Sequence, residues 1–223
     1  MATYKQSLRE MAVTVAGQDD VLFLSGFEGT EGLSQLYRIE VELMALSTKT
    51  IDYAAMMGAP ITLRIGPVDE SPRYINGIIG RFQQGGTIRG TKSDEVFIRY
   101  RAEMVPKMWL MTRNARSRIF EQKSIPDILR AVFAEYGLSV SYKIQGSFDV
   151  REYCVQYRET DFAFVSRLME EEGIYYYFTH TASAHQLVVA NTPDGHVEIP
   201  GGAAIKYEVL QAGKTIVDRI TRW

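Results

Sequence analysis

Alternating apolar and polar positions fill the first half of the chain and predict β-strands. Tyr37, Ile39, Val41 and Leu43 alternate with charged side chains, which is the period-2 pattern of a strand with one buried and one wet face. The same alternation recurs over 61–65 and 96–104. Several such strands in succession predict a small antiparallel barrel or sandwich covering about the first 110 residues.

Glycines punctuate the strand predicted over 74–82 and the segment that follows it. Gly77 and Gly80 interrupt this strand and predict a bulge or a sharp bend. The segment 82–95 is rich in glycine and polar residues, so we expect a long loop between two strands of a hairpin. A single helical turn is expected over 52–57.

The second half of the chain changes to three- and four-residue spacing and predicts two amphipathic helices. Ser124 is a good N-cap for the first helix, and Gly137 ends it. Thr160 caps the second helix, and Gly173 ends it. The apolar stripes are Ile125, Ile128, Leu129, Val132, Phe133 and Tyr136 in the first helix, and Phe162, Val165, Leu168 and Met169 in the second.

Further strands are expected around and after these helices. They cover 138–144, 174–178, 186–190 and 205–210, and the strand over 174–178 is apolar on both faces, so it needs cover on each side. Residues 215–223 alternate without a closing turn, so the chain is expected to stop inside a strand. The whole pattern predicts a β-rich α+β protein.

Composition excludes several classes of protein. Of 223 residues, 46% are hydrophobic and 23% charged, with a formal net charge of −2, which is typical of a globular protein and gives no global field for nucleic acid. Residues 1–17 contain Lys5, Arg9 and Glu10 and no apolar core, so no signal peptide is expected. No apolar stretch approaches the roughly 20 residues of a membrane span. We expect a soluble chain made in the cytoplasm.

Three consecutive carboxylates are the candidates for acid–base chemistry. Glu170, Glu171 and Glu172 lie on a helix, where successive side chains point about 100° apart, so they cannot converge on one substrate. We expect a solvated or interface face. Because the helix dipole disfavours negative charge at a C-terminus, a cation should compensate, and Arg158 and Arg167 are the nearest candidates.

The histidines and the cysteine indicate neither a metal nor a nucleophile. His180 and His185 bracket a short loop, and two exposed loop histidines are favoured over a shared metal. No nucleophile-elbow motif is present, and no histidine has a recognisable catalytic context. The single cysteine, Cys154, cannot form an internal disulfide and is expected to be a buried, inert thiol. We expect no catalytic residue, no metal and no cofactor.

Two possible binding surfaces also favour a structural interpretation. Lys107, Arg113, Arg116 and Arg118 form a basic cluster that lacks the interleaved aromatic residues of a single-strand binder, so salt bridges are favoured over RNA or phosphate. The tyrosines of 175–177 could stack on a sugar, but core positions are favoured.

One long segment is distinctive. Residues 151–178, REYCVQYRETDFAFVSRLMEEEGIYYYF, resemble the signature of the VgrG family, the valine-glycine repeat spike proteins of bacterial type VI secretion systems. Residues 118–120, 123–129 and 22–29 resemble other segments of that family. The resemblance therefore covers nearly the whole chain.

The resemblance implies a tail-hub-like fold and a non-enzymatic role. The implied domains are a first β-barrel over 1–112, an α/β insertion with the two helices over 113–183, and strands over 184–223 that lead into a second, truncated barrel. Family members form a homotrimer that imitates a sixfold ring and seats on the hexameric tube protein and baseplate components. The rest of the second barrel, a neck and a needle would follow Trp223, with the regions that bind effectors or a tip cap protein.

The implied location and residues follow from the same resemblance. The spike would assemble in the cytoplasm and be ejected by the secretion machine out of the cell or into target cells, without nucleic acid or a membrane span. Thr160 and Asp161 would begin the signature helix, and Phe162 would anchor it to the sheet. The implied structural signature is Arg158, Glu159, Thr160, Asp161, Phe162, Arg167, Glu172 and Gly173.

Three alternatives to a secretion spike remain at the level of sequence. The first is the hub of a contractile prophage tail or a related injection particle. The second is a peptidoglycan hydrolase, which requires an acidic pair in a cleft. The third is a glycan-binding module that uses the tyrosines of 175–177.

Overall fold

The computed structural model describes residues 5–6, 9–18, 20–66, 72–90, 94–196, 206–207 and 219–220. Thirteen strands and three α-helices lie in these ranges. The strands are β1 Met11–Val15, β2 Phe23–Thr30, β3 Arg38–Leu46, β4 Pro60–Ile65, β5 Arg73–Arg89, β6 Val96–Val105, β7 Ala115–Lys123, β8 Val140–Lys143, β9 Arg151–Thr160, β10 Tyr175–His180, β11 His185–Ala190, β12 Lys206–Tyr207 and β13 Arg219–Ile220. The helices are α1 Tyr53–Met56, α2 Ile125–Glu135 and α3 Asp161–Glu171, and a 3-10 helix covers Lys107–Arg113.

The first six strands form one antiparallel sheet in the order β1-β4-β5-β6-β3-β2. The sheet curls until its two edge strands, β1 and β2, contact each other. Its alternating apolar residues point inward, so that Tyr37, Ile39, Val41 and Leu43 are buried. The predicted β-rich α+β fold with a barrel-like first part is confirmed, and the helical turn expected over 52–57 is α1.

The prediction of a glycine-rich loop over 82–95 is wrong for most of that segment. Strand β5 continues to Arg89 and pairs with β6 to the register Arg89↔Val96. Its polar residues are accommodated because the backbone of β6 satisfies the hydrogen bonds of this segment, whatever its side chains. The register shifts between Ile79 and Arg81, where a bulge was expected at Gly80, and again between Gln84 and Thr87.

Both predicted amphipathic helices are confirmed with their caps. Ser124 Oγ accepts a hydrogen bond from the Asp127 N–H at the start of α2, and Thr160 Oγ1 accepts one from the Ala163 N–H at 3.0 Å. Gly137 and Gly173 follow the two helices with φ of +56° and +65°, a conformation that glycine adopts without strain.

The aromatic anchor of α3 differs from the prediction. Phe162 is only partly buried, whereas Phe164 has no exposed surface. The reason is the direction of the stripe: Phe164, Val165, Leu168 and Met169 share the face that points into the core, and Phe162 lies at its margin.

A second sheet has the strand order β10-β11-β8, with β11 antiparallel to β10 and parallel to β8. The sequence analysis assigned the strand at 186–190 to the segment that leads into the second barrel. In the structure this strand pairs with β8 and β10, which precede it in the chain. The strand expected to be apolar on both faces has one buried face, formed by Tyr176 and Phe178. Tyr175 and Tyr177 are half-buried on the other face, and their hydroxyls donate to backbone carbonyls.

Strands β7 and β9 form a separate two-stranded ribbon, and β12 pairs in parallel with β13. The remaining parts of the strands expected over 205–210 and 215–223 lie outside the described residues. One continuous apolar core runs from the six-stranded sheet through α2 and α3 to the three-stranded sheet. None of the helices in the described ranges is long and apolar enough to cross a membrane.

Candidate assembly site

The signature segment forms β9, α3 and β10, and a buried carboxylate lies at its centre. Asp161, the first residue of α3, has no exposed surface. Its Oδ1 accepts from Gln156 Nε2 at 2.8 Å and lies 3.2 Å from a terminal guanidinium nitrogen of Arg118. Its Oδ2 lies 3.2 Å from Arg116 Nε and accepts from the Tyr136 hydroxyl. A carboxylate is stable at this depth because two cations and two further donors surround it.

This network ties four elements together. Arg116 and Arg118 come from β7, Gln156 from β9 and Tyr136 from the end of α2, and Glu135 of α2 forms ion pairs with both arginines. Burial, followed by the contact with the Asp161 carboxylate, raises the pKa of Tyr136. The donors of Arg116, Arg118, Gln156 and Tyr136 around Asp161 hold these elements in place. The Asp161 carboxylate is not exposed to solvent, so the network is structural.

The basic cluster predicted from the sequence divides between three roles. Arg116 and Arg118 form salt bridges, as expected. Lys107 Nζ donates to the Gly137 carbonyl oxygen at 3.0 Å. The guanidinium of Arg113 stacks over the Trp109 ring, 4.3 Å from its centroid.

The other charged signature residues form a chain of ion pairs along α3. Arg167 contacts Glu159 at 2.7 Å and Glu171 at 3.3 Å. Arg151 contacts Glu171 at 2.9 Å and Glu172 at 3.2 Å. Arg167 was an expected partner of the acidic run, and Arg151 was missed because β9 approaches α3 through the fold and not through sequence spacing.

Arg158, the other expected partner, does not reach these carboxylates. Its backbone has a φ of +50°, and its N–H donates to Ser117 Oγ at 3.2 Å. Its guanidinium lies over the Tyr157 ring, 5.3 Å from the centroid. The positive φ at Arg158 lies close to the register shift between Arg116 and Arg118, so this residue marks an irregular end of the ribbon.

The histidines are not the exposed loop residues that the sequence suggested. His180 and His185 face each other across the β10–β11 pair, with ring centroids 6.2 Å apart, and both rings contact Tyr37. His180 Nδ1 accepts from the Asn76 N–H at 3.1 Å, and His185 Nε2 accepts from the Lys107 N–H at 3.1 Å. Burial, with smaller contributions from His180 and Lys107, lowers the pKa of His185 to about 4.

These two hydrogen bonds join the three-stranded sheet to β5 of the first sheet, through Asn76, and to the 3-10 helix, through Lys107. The prediction missed them because nothing in the local sequence shows that the β10–β11 turn packs on β5 and the 3-10 helix. Within the described ranges, three potential metal ligands from His, Cys, Asp and Glu side chains do not come together.

In the ribbon of β7 and β9, several apolar side chains lie on the exposed face and a polar one is buried, which is the reverse of the usual pattern. Cys154 and Gln156 are buried on the inner face, and burial raises the pKa of the Cys154 thiol, as expected for an inert cysteine. On the outer face, Ile119 is 61% exposed, Tyr153 and Tyr157 are each 65% exposed, and Val155 is 38% exposed. We call these four residues the ribbon face. A cluster of exposed apolar side chains of this kind is typical of a surface that another polypeptide covers.

The fold is a β-rich α+β architecture with a curled six-stranded sheet, and its ribbon face exposes a cluster of apolar side chains. The pattern of the phage tail baseplate hub (GPD) family matches residues 30–223. The chain belongs to this family.

Relatives and solved structures agree with that assignment. The type VI secretion system spike protein VgrG1c of Pseudomonas aeruginosa is 37% identical over 205 residues, which covers 92% of this chain and 27% of the relative. The chain thus spans about a quarter of the length of that relative.

Two solved structures share the fold. The E. coli c3393 protein, a type VI secretion component with structural similarity to the T4 tail proteins gp27 and gp5, matches with a TM-score of 0.71 and 22% identity over 83% of this chain and 50% of its own. The 43 kDa tail protein of prophage MuSo2 from Shewanella oneidensis matches with a TM-score of 0.53 and 14% identity over 81% of this chain and 52% of its own. A type VI secretion component and a prophage tail protein therefore share this fold.

Proposed function

We propose that the chain is the hub module at the base of a type VI secretion spike and that it acts by shape and buried surface, without catalysis. The observation that carries this proposal is the similarity to the spike protein VgrG1c over 92% of the chain. Identity of this level to a secretion spike favours a secretion machine over a prophage tail, although both share the fold.

The internal organisation fits a hub. We propose the first sheet, within residues 1–112, as the first barrel, and the segment from 113 as the α/β insertion. Since β11 pairs with β8 and β10, we place the end of the insertion after Ala190 and not at 183. Strands leading into a second barrel would follow.

The proposed partners are those of a spike base. The module would trimerise in the full protein, contact the hexameric tube protein and baseplate components, and travel with the ejected spike after assembly in the cytoplasm. Effectors or a tip cap protein would bind regions that follow this module in longer relatives. The ribbon face is the surface that we assign to one of these assembly contacts, since its four apolar side chains are exposed in the isolated chain.

The surface chemistry disfavours the enzymatic and glycan-binding alternatives. Glu171 and Glu172 are held in ion pairs by Arg151 and Arg167 on the side of α3, which disfavours them as the acid and base of a hydrolase. Tyr176 is buried, and the hydroxyls of Tyr175 and Tyr177 bind backbone carbonyls, so the three rings do not form a stacking row.

A secretion assay tests the proposal. The natural gene product carrying Val155→Asp would be compared with one carrying Leu33→Asp, because Leu33 is an equally apolar and 55% exposed residue outside the ribbon. We expect Val155→Asp to lower release of the tube protein into the medium by at least about tenfold, and Leu33→Asp to leave it unchanged. Normal tube release from a strain lacking the gene would overturn the hub proposal, and equal release by the two variants would remove the ribbon face from it.

A further inference from the structure

An open cleft of about 400 Å³ lies where β3 begins, β6 ends and the 3-10 helix follows. Arg38 and Arg113 line it, and both are exposed to solvent. Leu36, Val105 and Trp109 supply the apolar part of its lining. The described residues that line this cleft include no carboxylate, so it has two cations in its wall and no anion.

The guanidinium of Arg113 is oriented by an aromatic ring. It stacks over Trp109, 4.3 Å from the ring centroid. That ring packs on β5 at Gly80, where an added Cβ would lie 3.6 Å from it, and the Trp109 carbonyl oxygen accepts from the Thr112 hydroxyl at 2.8 Å. Stacking covers one face of a guanidinium and leaves the N–H groups at its edge able to bind an acceptor. Arg113 is therefore held in place without the use of its donors.

The donors that line the cleft have few partners. Within the described part of the chain, Arg113 donates no hydrogen bond and forms no ion pair. Arg38 has one long ion pair, 3.7 Å from its Nε to Glu103 Oε1, and its two terminal nitrogens have no described partner. The indole N–H of Trp109 also lacks an acceptor among the described residues. The cleft thus offers positive charge and N–H groups, and it calls for a ligand that is negative and accepts hydrogen bonds.

A carboxylate side chain fits these terms. Its two oxygens accept from two parallel N–H groups of one guanidinium, and its methylene groups can pack on Leu36 and Val105. A phosphate matches the charge but gains nothing from those apolar side chains. We propose that this cleft binds an acidic segment of a partner polypeptide, with a glutamate carboxylate paired to the Arg113 guanidinium. The inference adds a second contact surface to the ribbon face and does not depend on which contractile machine the hub serves.

Matched ligands test the proposal on the whole chain. The chain contains two tryptophans, so Trp223→Phe leaves Trp109 as the single fluorescent reporter. In that background, acetylated and amidated tetraglutamate would be titrated beside tetraglutamine and inorganic phosphate at one ionic strength. We expect a saturable change with tetraglutamate and at least about tenfold weaker binding of the other two, because hydrogen bonds to a charged group change affinity by more than about tenfold. No saturable change with tetraglutamate would overturn the site, and phosphate binding as tight as that of tetraglutamate would overturn the polypeptide as its ligand.

Three variants locate the ligand. Arg113→Gln should lower the affinity for tetraglutamate by at least about tenfold, and Arg113→Lys, which keeps the charge but not the paired donors, should give an intermediate affinity. Arg158→Gln is the matched control and should leave the affinity unchanged, because Arg158 is also exposed and stacked on a ring, that of Tyr157, but lies outside the cleft.

Isothermal titration calorimetry of the same variants gives the affinity without relying on the emission of Trp109, which Arg113 contacts. Equal losses in Arg113→Gln and Arg158→Gln would show that the peptide follows overall charge and would overturn the site, as would an unchanged affinity in Arg113→Gln. An affinity of Arg113→Lys equal to that of the parent chain would overturn the paired carboxylate geometry.

Discussion

Phe164 of α3 stacks on Phe120 of β7 with ring centroids 5.6 Å apart and planes 12° from parallel. This contact fixes the signature helix on the inner face of the ribbon, the side opposite the ribbon face. The helix and the ribbon thus present their outer surfaces as one rigid unit.

Truncating the buried ring should therefore be costly. We expect Phe164→Ala to lower the free energy of unfolding by about 3–5 kcal/mol, because Phe164 has no exposed surface and its removal leaves a cavity. Phe162→Ala is the matched control and should cost clearly less, since Phe162 is only partly buried. Urea unfolding of the two variants measures the difference, and equal losses would contradict our placement of the helix face.

Asp161 should be intolerant of neutralisation. Replacing it by asparagine leaves Arg116 and Arg118 without their buried counter-charge, and we expect a loss of about 3–5 kcal/mol. Asp127→Asn removes a carboxylate of a pair that is about half exposed, Asp127–Arg130, and should cost about 1 kcal/mol or less. Denaturation at neutral pH compares them, and similar losses would show that the Asp161 network contributes little.

The sequence predicted the helices of this fold well because their signals are local. Ser124 and Thr160 cap their helices through contacts three residues away, and Gly137 and Gly173 follow them with positive φ. The strand over 83–89 could not be found in the same way. Its glycines and glutamines resemble a loop, and only its partner strand β6, which satisfies its backbone, makes it a strand.

The assembly site was predictable in part. The signature residues were identified, but a carboxylate at the first position of a helix is usually solvated, so nothing indicated that Asp161 is buried between two arginines. The ribbon face was missed for a related reason. The burial expected for Cys154 is confirmed, but nothing local indicated that packing on α3 would also place the polar Gln156 inside and leave the apolar side chains of Tyr153, Val155 and Tyr157 outside.

Close approach of two strands leaves too little room for a side chain at Gly77. A Cβ at this position would lie 2.5 Å from Met104 Cγ and 2.7 Å from the Val105 carbonyl oxygen, so we expect Gly77→Ala to cost about 1–3 kcal/mol. At Gly86 the nearest atom to an added Cβ is 3.6 Å away, in the Arg99 guanidinium, so Gly86→Ala should be neutral or slightly stabilising. Thermal unfolding of both variants checks the contrast, and an unperturbed Gly77→Ala protein would contradict the described β5–β6 packing.

Acid should weaken the contact between the three-stranded sheet and the 3-10 helix through His185. Burial lowers its pKa in the folded chain to about 4, below the ordinary value near 6.5, so the unfolded chain binds more protons between these two values. The stabilisation that comes from a neutral His185 is therefore complete above about pH 6.5 and is lost as the pH falls toward 4, with an upper limit on the order of 3 kcal/mol.

Removing the titrating ring should flatten this dependence. In His185→Gln the side-chain oxygen can still accept from the Lys107 N–H, but it does not titrate, so the urea midpoint should change less between pH 7 and pH 5 than in the parent chain. His196→Gln changes an exposed histidine and should leave the slope as it is. Working above pH 5 keeps Glu31 out of the comparison, because its hydrogen bond with His180 lowers the pKa of that carboxyl below its usual range near 4.5. A slope that is the same in the parent and in His185→Gln would mean that the acid sensitivity, if any is measured, arises elsewhere in the chain.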